Sequence, residues 1–283
     1  MKVWEGVKLD SLTHIQKRKI ITSSMFLKDK YHADGKFDNL KSRLVAGGHL
    51  QDRNIYNNGS SSTASTSSIF MIAALAAREG RAVATIDFPG AFLNSEMPGE
   101  GYHEVLMRLN KCLSGILIGI DPSYKKYLNS NDTIIVRLKK ALYGCVESSK
   151  LWYDKISGDM GKLGFTLNPY DICVFNHIEA CGSQTTCVIH VDDMTITCKD
   201  QKHLDMLIDS IELTYPGLTK YKDKVLNYLG MTFDFTATGK VKITLEGYIG
   251  ELLEGCEDLK GTAPTPAKAE LFQVKGRTFS GEA

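Results

Sequence analysis

The chain has 283 residues, 43% hydrophobic and 24% charged, which is enough to bury a sizeable core in one large domain or two smaller ones. Its formal charge of +1 does not announce a nucleic-acid binder, and its seven cysteines, odd in number and without a Cys-x-x-Cys pair, read as reduced, mostly buried thiols of a cytosolic protein. No apolar run approaches the ~18–20 residues of a membrane span, and Met1-Lys2-Val3-Trp4-Glu5 opens no signal-peptide apolar core.

Charge is less even along the chain: Met1 to Ser60 carries eleven Lys/Arg against six Asp/Glu, which suits either a phosphate-facing surface or a solvated face. Within this region a short helix is expected over Leu12–Ile20. Strands are expected at Met25–Leu27 and Ser42–Ala46, with a turn at Ala33–Lys36. A Ser/Thr-rich loop over residues 59–68 leads to an apolar helix, Ile69–Arg78, which Ser67 or Ser68 caps and Glu79-Gly80-Arg81 ends. Ala82–Asp87 reads as a buried strand ending in a carboxylate and broken by Pro89-Gly90.

A second helix is expected over Leu142–Leu163, with Trp152, Tyr153, Ile156 and Met160 at helical spacing. Cys173–Phe175 reads as a strand, and Cys173, Cys181 and Cys187 with His177 match no usual zinc-ligand spacing. His203–Leu213 is an amphipathic helix. Tyr228–Phe235 and Val241–Leu245 form a hairpin around Thr238-Gly239, and the tail from Gly261 is extended or disordered.

The most informative stretch is Cys187 to Thr197, where Asp192-Asp193 stands between Val188-Ile189-His190-Val191 and Thr195-Ile196-Thr197. Two β-prone runs around two carboxylates read as a hairpin with an acidic tip. Adjacent anions repel, and a divalent cation is the usual compensation. From Asp87 onward the order is strand, helix, strand-turn-strand, helix, strand, that of a split β-α-β antiparallel sheet with helices on one face. Asp87 at a strand end and the Asp192-Asp193 tip can then meet and hold two Mg²⁺ (or Mn²⁺) ions of the kind that serve phosphoryl chemistry.

Several segments in order resemble the reverse transcriptase domain of Ty1/copia-type LTR retrotransposons. Lys41-Ser42-Arg43-Leu44-Val45-Ala46-Gly47-Gly48 looks like the family's finger motif, and Asp87-Phe88-Pro89-Gly90-Ala91-Phe92-Leu93-Asn94 its first carboxylate motif. Leu142-Tyr143-Gly144 and Lys150-Leu151-Trp152-Tyr153 are similar to its central helix. His190-Val191-Asp192-Asp193 resembles its aromatic-x-Asp-Asp box, and Tyr228-Leu229-Gly230-Met231 its primer-grip hairpin. The likeness runs from about residue 20 to 270.

The resemblance implies an α+β, right-hand polymerase-like fold with fingers and a palm, the palm being a ferredoxin-like antiparallel sheet. Residues 1–80 would be part of the fingers and 81–225 the palm, with finger insertions at about 95–140. Residues 226–260 would hold the primer grip and the start of a thumb, ahead of a 261–283 tail. It further implies RNA-directed DNA polymerase activity on an RNA or DNA template with a primer and dNTPs. Asp87, Asp192 and Asp193 would be the metal-holding catalytic residues. Lys41 and Arg43 would grip the triphosphate, Phe92 would exclude a ribose 2′-hydroxyl, and His190 with Tyr228, Leu229, Gly230 and Met231 would seat the primer. One of Lys220, Lys222 and Lys224 would protonate pyrophosphate. The implied setting is a cytoplasmic retrotransposon particle or the nucleus, off the membrane, with ribonuclease H and integrase parts belonging to a longer polyprotein.

The chain departs from the family at His190, where Tyr is common, and at Val146, Glu147 and Ser149, where many members carry Lys, Gln and Pro. At the nucleotide site Glu147 is expected to repel a triphosphate unless a Lys or a metal offsets it. Two other readings stand beside the polymerase. One is a catalytically inactive retroelement fragment that binds nucleic acid; the other is a template-independent nucleotidyltransferase.

Overall fold

The computed structural model describes residues 2–31, 36–53, 61–99 and 104–254. The expected Gly261 tail and most of the Ala33–Lys36 turn lie outside them. The chain begins with β1 (Trp4–Val7), α1 (His14–Arg18), β2 (Ile21–Tyr31) and β3 (Phe37–Ala46). Thr13 starts α1 with a reciprocal cap: its hydroxyl accepts from Gln16 N at 3.2 Å, and its own N–H donates to Gln16 Oε1 at 2.9 Å. The helix is shorter than expected because Ile21, 1% exposed, already belongs to β2. Helix α2 (Thr66–Glu79) starts three residues early. Its cap is Ser65, not Ser67 or Ser68, and Ser68 instead donates its N–H to Ser65 Oγ at 3.1 Å. Gly80, at φ +63°, ends the helix in the left-handed conformation.

After β4 (Ala82–Asp87) come β5 (Leu106–Leu109), α3 (Lys111–Ile120) and β6 (Ile134–Leu138). Helix α4 covers only Ser148–Lys162. The six residues expected to precede it form a turn, because Gly144 sits at φ +92° with its Cα against the end of β3; a Cβ there would come 2.1 Å from the Ala46 carbonyl oxygen. The chain continues through β7 (Thr166–Leu167), β8 (Val174–Ile178), β9 (Gln184–His190), β10 (Asp193–Cys198), α5 (Gln201–Thr214) and β11 (Thr219–Tyr221). Then follow β12 (Val225–Tyr228), β13 (Met231–Asp234) and β14 (Lys242–Thr244). Residues up to Thr244 make one compact unit. A second unit begins at Leu245 and contains α6 (Glu246–Glu254).

The fold is mixed α+β, built on three largely antiparallel sheets. One runs β1-β6-β5-β2-β3, with β2 and β5 parallel. A second runs β11-β4-β10-β9-β8-β7, and its four strands β11-β4-β10-β9 have the split β-α-β order. The third is β12-β13-β14. The expected Tyr228–Phe235 strand is broken at its start. Leu229 and Gly230 both have positive φ, 52° and 77°, so Tyr228–Met231 is a tight turn joining β12 to β13.

Alternation along the six-stranded sheet sorts its two faces. Ala84, Ile86, Met194 and Ile196, each 1% exposed or less, share the face against which α5 lies. Val83, Val188, Thr195 and Thr197 share the other, opposite Ile69 and Ala73 of α2 and Tyr228 and Phe233 of the small sheet. Cover on that second face was not expected from the sequence.

Candidate active site

The acidic hairpin forms where the alternating runs placed it. β9 and β10 pair in register from Asp193↔His190 to Thr197↔Thr186, and Val191-Asp192 make the connection. Val191 takes φ +58°, a left-handed conformation costly for a β-branched residue. Two hydrogen bonds hold the turn there. Trp152 Nε1 donates to the Val191 carbonyl at 2.5 Å, and Phe88 N donates to the Asp192 carbonyl at 2.8 Å.

Phe88, Trp152 and Tyr215 stack edge-on beneath this turn, with ring centroids 5.3–5.5 Å apart. The end of β4, the first half of α4 and the residue closing α5 are thereby fixed to one another under the carboxylates. Trp152 was legible as part of an apolar helical stripe. Its indole bond, and the part played by Tyr215, had no sequence signal.

Asp193 lies opposite Asp87 in the β10–β4 ladder, so both carboxylates leave the same face of the sheet. Burial pushes the Asp193 carboxyl up to about 6, helped by the charges of Asp192 and Asp87. Burial and the Asp192 charge raise Asp87 as well, while Lys41 and Lys30 draw it back. Three hard oxygen donors that repel one another fit a divalent cation such as Mg²⁺ or Mn²⁺. Their oxygens do not all lie within 4.8 Å of one another, so the set is open.

A groove of about 500 Å³ opens beside these carboxylates, lined by Asp87, Asp192, Lys41, Arg43 and Tyr143 among others. Arg43 and Lys41 come from β3 and are exposed. The Arg43 guanidinium sits 4.6 Å from the Tyr143 ring centroid. Phe92, 9% exposed, stacks behind Tyr143 with centroids 4.7 Å apart and is not among the groove-lining residues. Tyr143, to which the sequence assigned no role of its own, lines the groove in its place.

Glu147 departs from expectation. It is 6% exposed, away from the groove, and its Oε2 accepts from Gln51 Nε2 at 3.0 Å. Gln51 Oε1 in turn accepts from Val146 N at 2.8 Å. The short stretch after β3 therefore covers the start of α4, and a charge expected to meet a triphosphate is enclosed by protein instead.

The expected primer-side residues divide in two. Tyr228, 4% exposed, donates its hydroxyl to the Val188 carbonyl at 3.4 Å, and burial raises its pKa well above the usual phenol range. Met231 is buried at 9% exposure. These two anchor the β12–β13 hairpin on the sheet, while Gly230 is exposed and Leu229 half-buried at its tip. His190 is half-buried beside Asp193, with Nδ1 enclosed and unpartnered.

Lys220 and Lys222 are not placed to protonate a leaving group. Lys220 is ion-paired with Glu212, and Lys222 lies 2.6 Å from Asp205, both on α5. Lys224 lines a different groove, with Ala82 and Gly239. Among the described residues no helix is long and apolar enough to cross a membrane.

The chain is 27% identical over 260 residues to the Transposon Ty1-MR1 Gag-Pol polyprotein of Saccharomyces cerevisiae, a match covering 89% of this chain and 13% of that one. The chain thus spans a small part of the curated relatives it matches. Among solved structures, telomerase from Candida albicans in complex with a fragment of telomeric RNA aligns at a TM-score of 0.45 and 10% identity, over 86% of this chain and 48% of the telomerase. A foamy viral protease-reverse transcriptase in complex with double-stranded DNA aligns at 0.41 and 13% identity, over 88% of this chain and 35% of the viral one. A sequence profile described as "Reverse transcriptase (RNA-dependent DNA polymerase)" matches residues 1–267, nearly the whole chain. With the carboxylate hairpin, the basic strand beside it and this match together, the chain belongs to the reverse transcriptase family, as an RNA-directed DNA polymerase domain of the Ty1/copia retrotransposon kind.

Proposed function

We propose that the groove between Asp87, Asp192 and the β2–β3 hairpin is where this domain adds deoxynucleotides to a primer paired with an RNA or DNA template. The observation that carries the reading is the opposed pair Asp87–Asp193, with Asp192 at the adjoining turn and two cations across the groove. Two Mg²⁺ or Mn²⁺ ions held by Asp87, Asp192 and Asp193 would supply charge neutralisation and activation of the primer hydroxyl. The chain's own residues do the rest. Lys41 and Arg43 bind the triphosphate, Arg43 with a planar fork suited to phosphate oxygens. Tyr143, backed by Phe92, forms the wall that the sugar meets. Leu229 and Gly230 at the β12–β13 tip seat the primer end, and His190 stands at the edge of the carboxylate turn.

In this reading the six-stranded sheet is the palm. The five-stranded sheet, which joins the 95–140 region to β1–β3, is the fingers, and β12–β14 is the primer grip leading to a thumb. In β2–β3, Lys28 stands directly opposite Lys41. Like charges in that position destabilise a hairpin and suit one that meets a polyanion. The domain would act within a longer polyprotein that also carries ribonuclease H and integrase parts, inside a retrotransposon particle.

Primer extension on an RNA template with dNTPs and Mg²⁺ or Mn²⁺ tests the reading. Extension is expected for the chain and none for Asp192→Asn, with primer–template binding retained. Tight binding without nucleotide addition under either metal would instead mark an inactive fragment. Extension without template would mark a nucleotidyltransferase of another kind.

A further inference from the structure

At the opposite end of the sheet from the acidic tip, three side chains of different chemistry converge. Glu179 lies in the turn between β8 and β9, Cys198 ends β10, and His203 is in the first turn of α5. One potential ligand atom from each lies within 4.8 Å of the other two, and theirs is the one such group among the described residues. Five strand steps separate Cys198 from Asp193, about 16 Å, so the cluster is separate from the carboxylate site.

Two further observations describe the surroundings of these three groups. First, the Thr185 hydroxyl, on a residue 2% exposed, lies 2.7 Å from Glu179 Oε1 and 3.2 Å from Cys198 Sγ. A hydroxyl has one hydrogen. Given to the carboxylate, it holds that ligand in place, as outer partners of metal ligands do. Second, His177 Nδ1 lies 2.9 Å from the Gly164 carbonyl, which can only accept, so Nδ1 carries the proton. Its Nε2 faces Glu179 Oε2 at 3.8 Å, so the ring stands beside the carboxylate as an outer neighbour of the cluster.

We propose that Glu179, Cys198 and His203 form a zinc-binding site, with a water completing four-coordination. Sulfur, imidazole nitrogen and carboxylate oxygen together suit Zn²⁺ or Co²⁺ and not Mg²⁺. Binding displaces the Cys198 thiol proton to solvent as the sulfur–metal bond forms. The exposed His203 gives the ion a way in. The metal joins the β8–β9 turn, the end of β10 and the start of α5, so it stabilises the fold at a distance from the polymerase groove. Spacing along the chain gave no warning of it: the ligands are 19 and 5 residues apart, and they meet only because β8, β9 and β10 are neighbours in the sheet.

The test is titration of the metal-stripped chain with Zn²⁺ alone, in excess Mg²⁺, by calorimetry. A parallel Co²⁺ titration is read by the near-ultraviolet thiolate-to-cobalt absorption. One equivalent should bind and raise the melting temperature. Asp192→Asn should leave this unchanged, Cys198→Ser should abolish the absorption band, and His203→Ala should weaken binding by roughly tenfold or more. Because His203 is exposed, its removal leaves the fold intact and keeps the test decisive should Cys198→Ser misfold. Absence of saturable Zn²⁺ binding, or binding untouched by His203→Ala, overturns the proposal.

Discussion

Asp193 stands directly opposite Asp87 across the β10–β4 ladder, a like-charged cross-strand pair at the end of a sheet whose centre is apolar. Such a pair destabilises the metal-free protein. Burial and its acidic neighbours raise Asp193 from 3.8 to about 6. The folded state therefore takes up this proton more readily than the unfolded chain, and stability falls as pH rises from about 4 to about 6. The group is only half-buried, so solvent screening reduces the penalty at neutral pH to about 1–2 kcal/mol. In EDTA, Asp193→Asn is expected to raise the urea midpoint at pH 7 and to leave it unchanged near pH 4. A variant no more stable than the parent at pH 7 would show that the pair carries no strain.

The Trp152 indole bond to the Val191 carbonyl is expected to set the position of Asp192. Trp152→Phe keeps an aromatic ring against Phe88 and Tyr215 but leaves that carbonyl without its donor. The cost is about 1–3 kcal/mol of stability. The turn, strained at Val191, should also relax, so the Mg²⁺ concentration for half-maximal primer extension should rise while primer–template affinity stays the same. Equal losses in both would point to general destabilisation instead.

Much of this was legible in the sequence because strand alternation and turn chemistry are local. The Val188–Thr197 pattern fixed the hairpin, and its order relative to Asp87 fixed the split β-α-β arrangement of β11-β4-β10-β9. What was not legible depended on contacts between distant segments. Leu142–Glu147 has helical composition, but Gly144 is drawn into a left-handed turn by its approach to Ala46. Glu147 was expected at the nucleotide because the family resemblance puts a nucleotide-binding Gln at that position. Its orientation depends on Gln51, 96 residues away in sequence. Lys220 and Lys222 looked like loop cations until β11 paired with β4 and turned them onto α5.

Glu147 offers a test of that reorientation. It is a buried carboxylate whose Oε1 has no partner, at the residue that precedes α4. The start of a helix favours a negative charge by about 0.3–1 kcal/mol, whereas an enclosed, half-satisfied carboxylate costs about 1–3 kcal/mol. The second effect is larger, so Glu147→Gln should stabilise the chain by about 1 kcal/mol in denaturant titrations at pH 7. The KM for dNTP should be nearly unchanged. A large fall in that KM would return Glu147 to the nucleotide site.

The stacked pair Phe92–Tyr143 makes the groove wall two rings deep. Phe92→Val removes the backing ring without touching the groove surface, and Tyr143 can then tilt away from the sugar. Pocket discrimination of this kind amounts to about 10–200-fold. The rNTP-to-dNTP ratio of kcat/KM is expected to rise within that range. An unchanged ratio with lowered thermal stability would make Phe92 a core residue only.

Asp159 gives the opposite pH dependence to Asp193. Burial pushes its carboxyl up, but hydrogen bonds from Lys162, the Tyr215 hydroxyl and Lys155 outweigh burial and hold it down at about 2. A depressed carboxylate contributes stability above its unfolded value of 3.8, and that stability is lost as pH falls toward 2. The Asp193 penalty, by contrast, is relieved as pH falls through 6. These two contributions balance at about pH 4, near the unfolded carboxylate value. Tyr215→Phe removes one charge-assisted bond, about 1.5–3 kcal/mol at neutral pH, and keeps the ring against Phe88 and Trp152. Its urea midpoint should fall at pH 7 and converge on the parent's near pH 2. A loss of equal size at both pH values would mean that the hydroxyl acts through packing and not through Asp159.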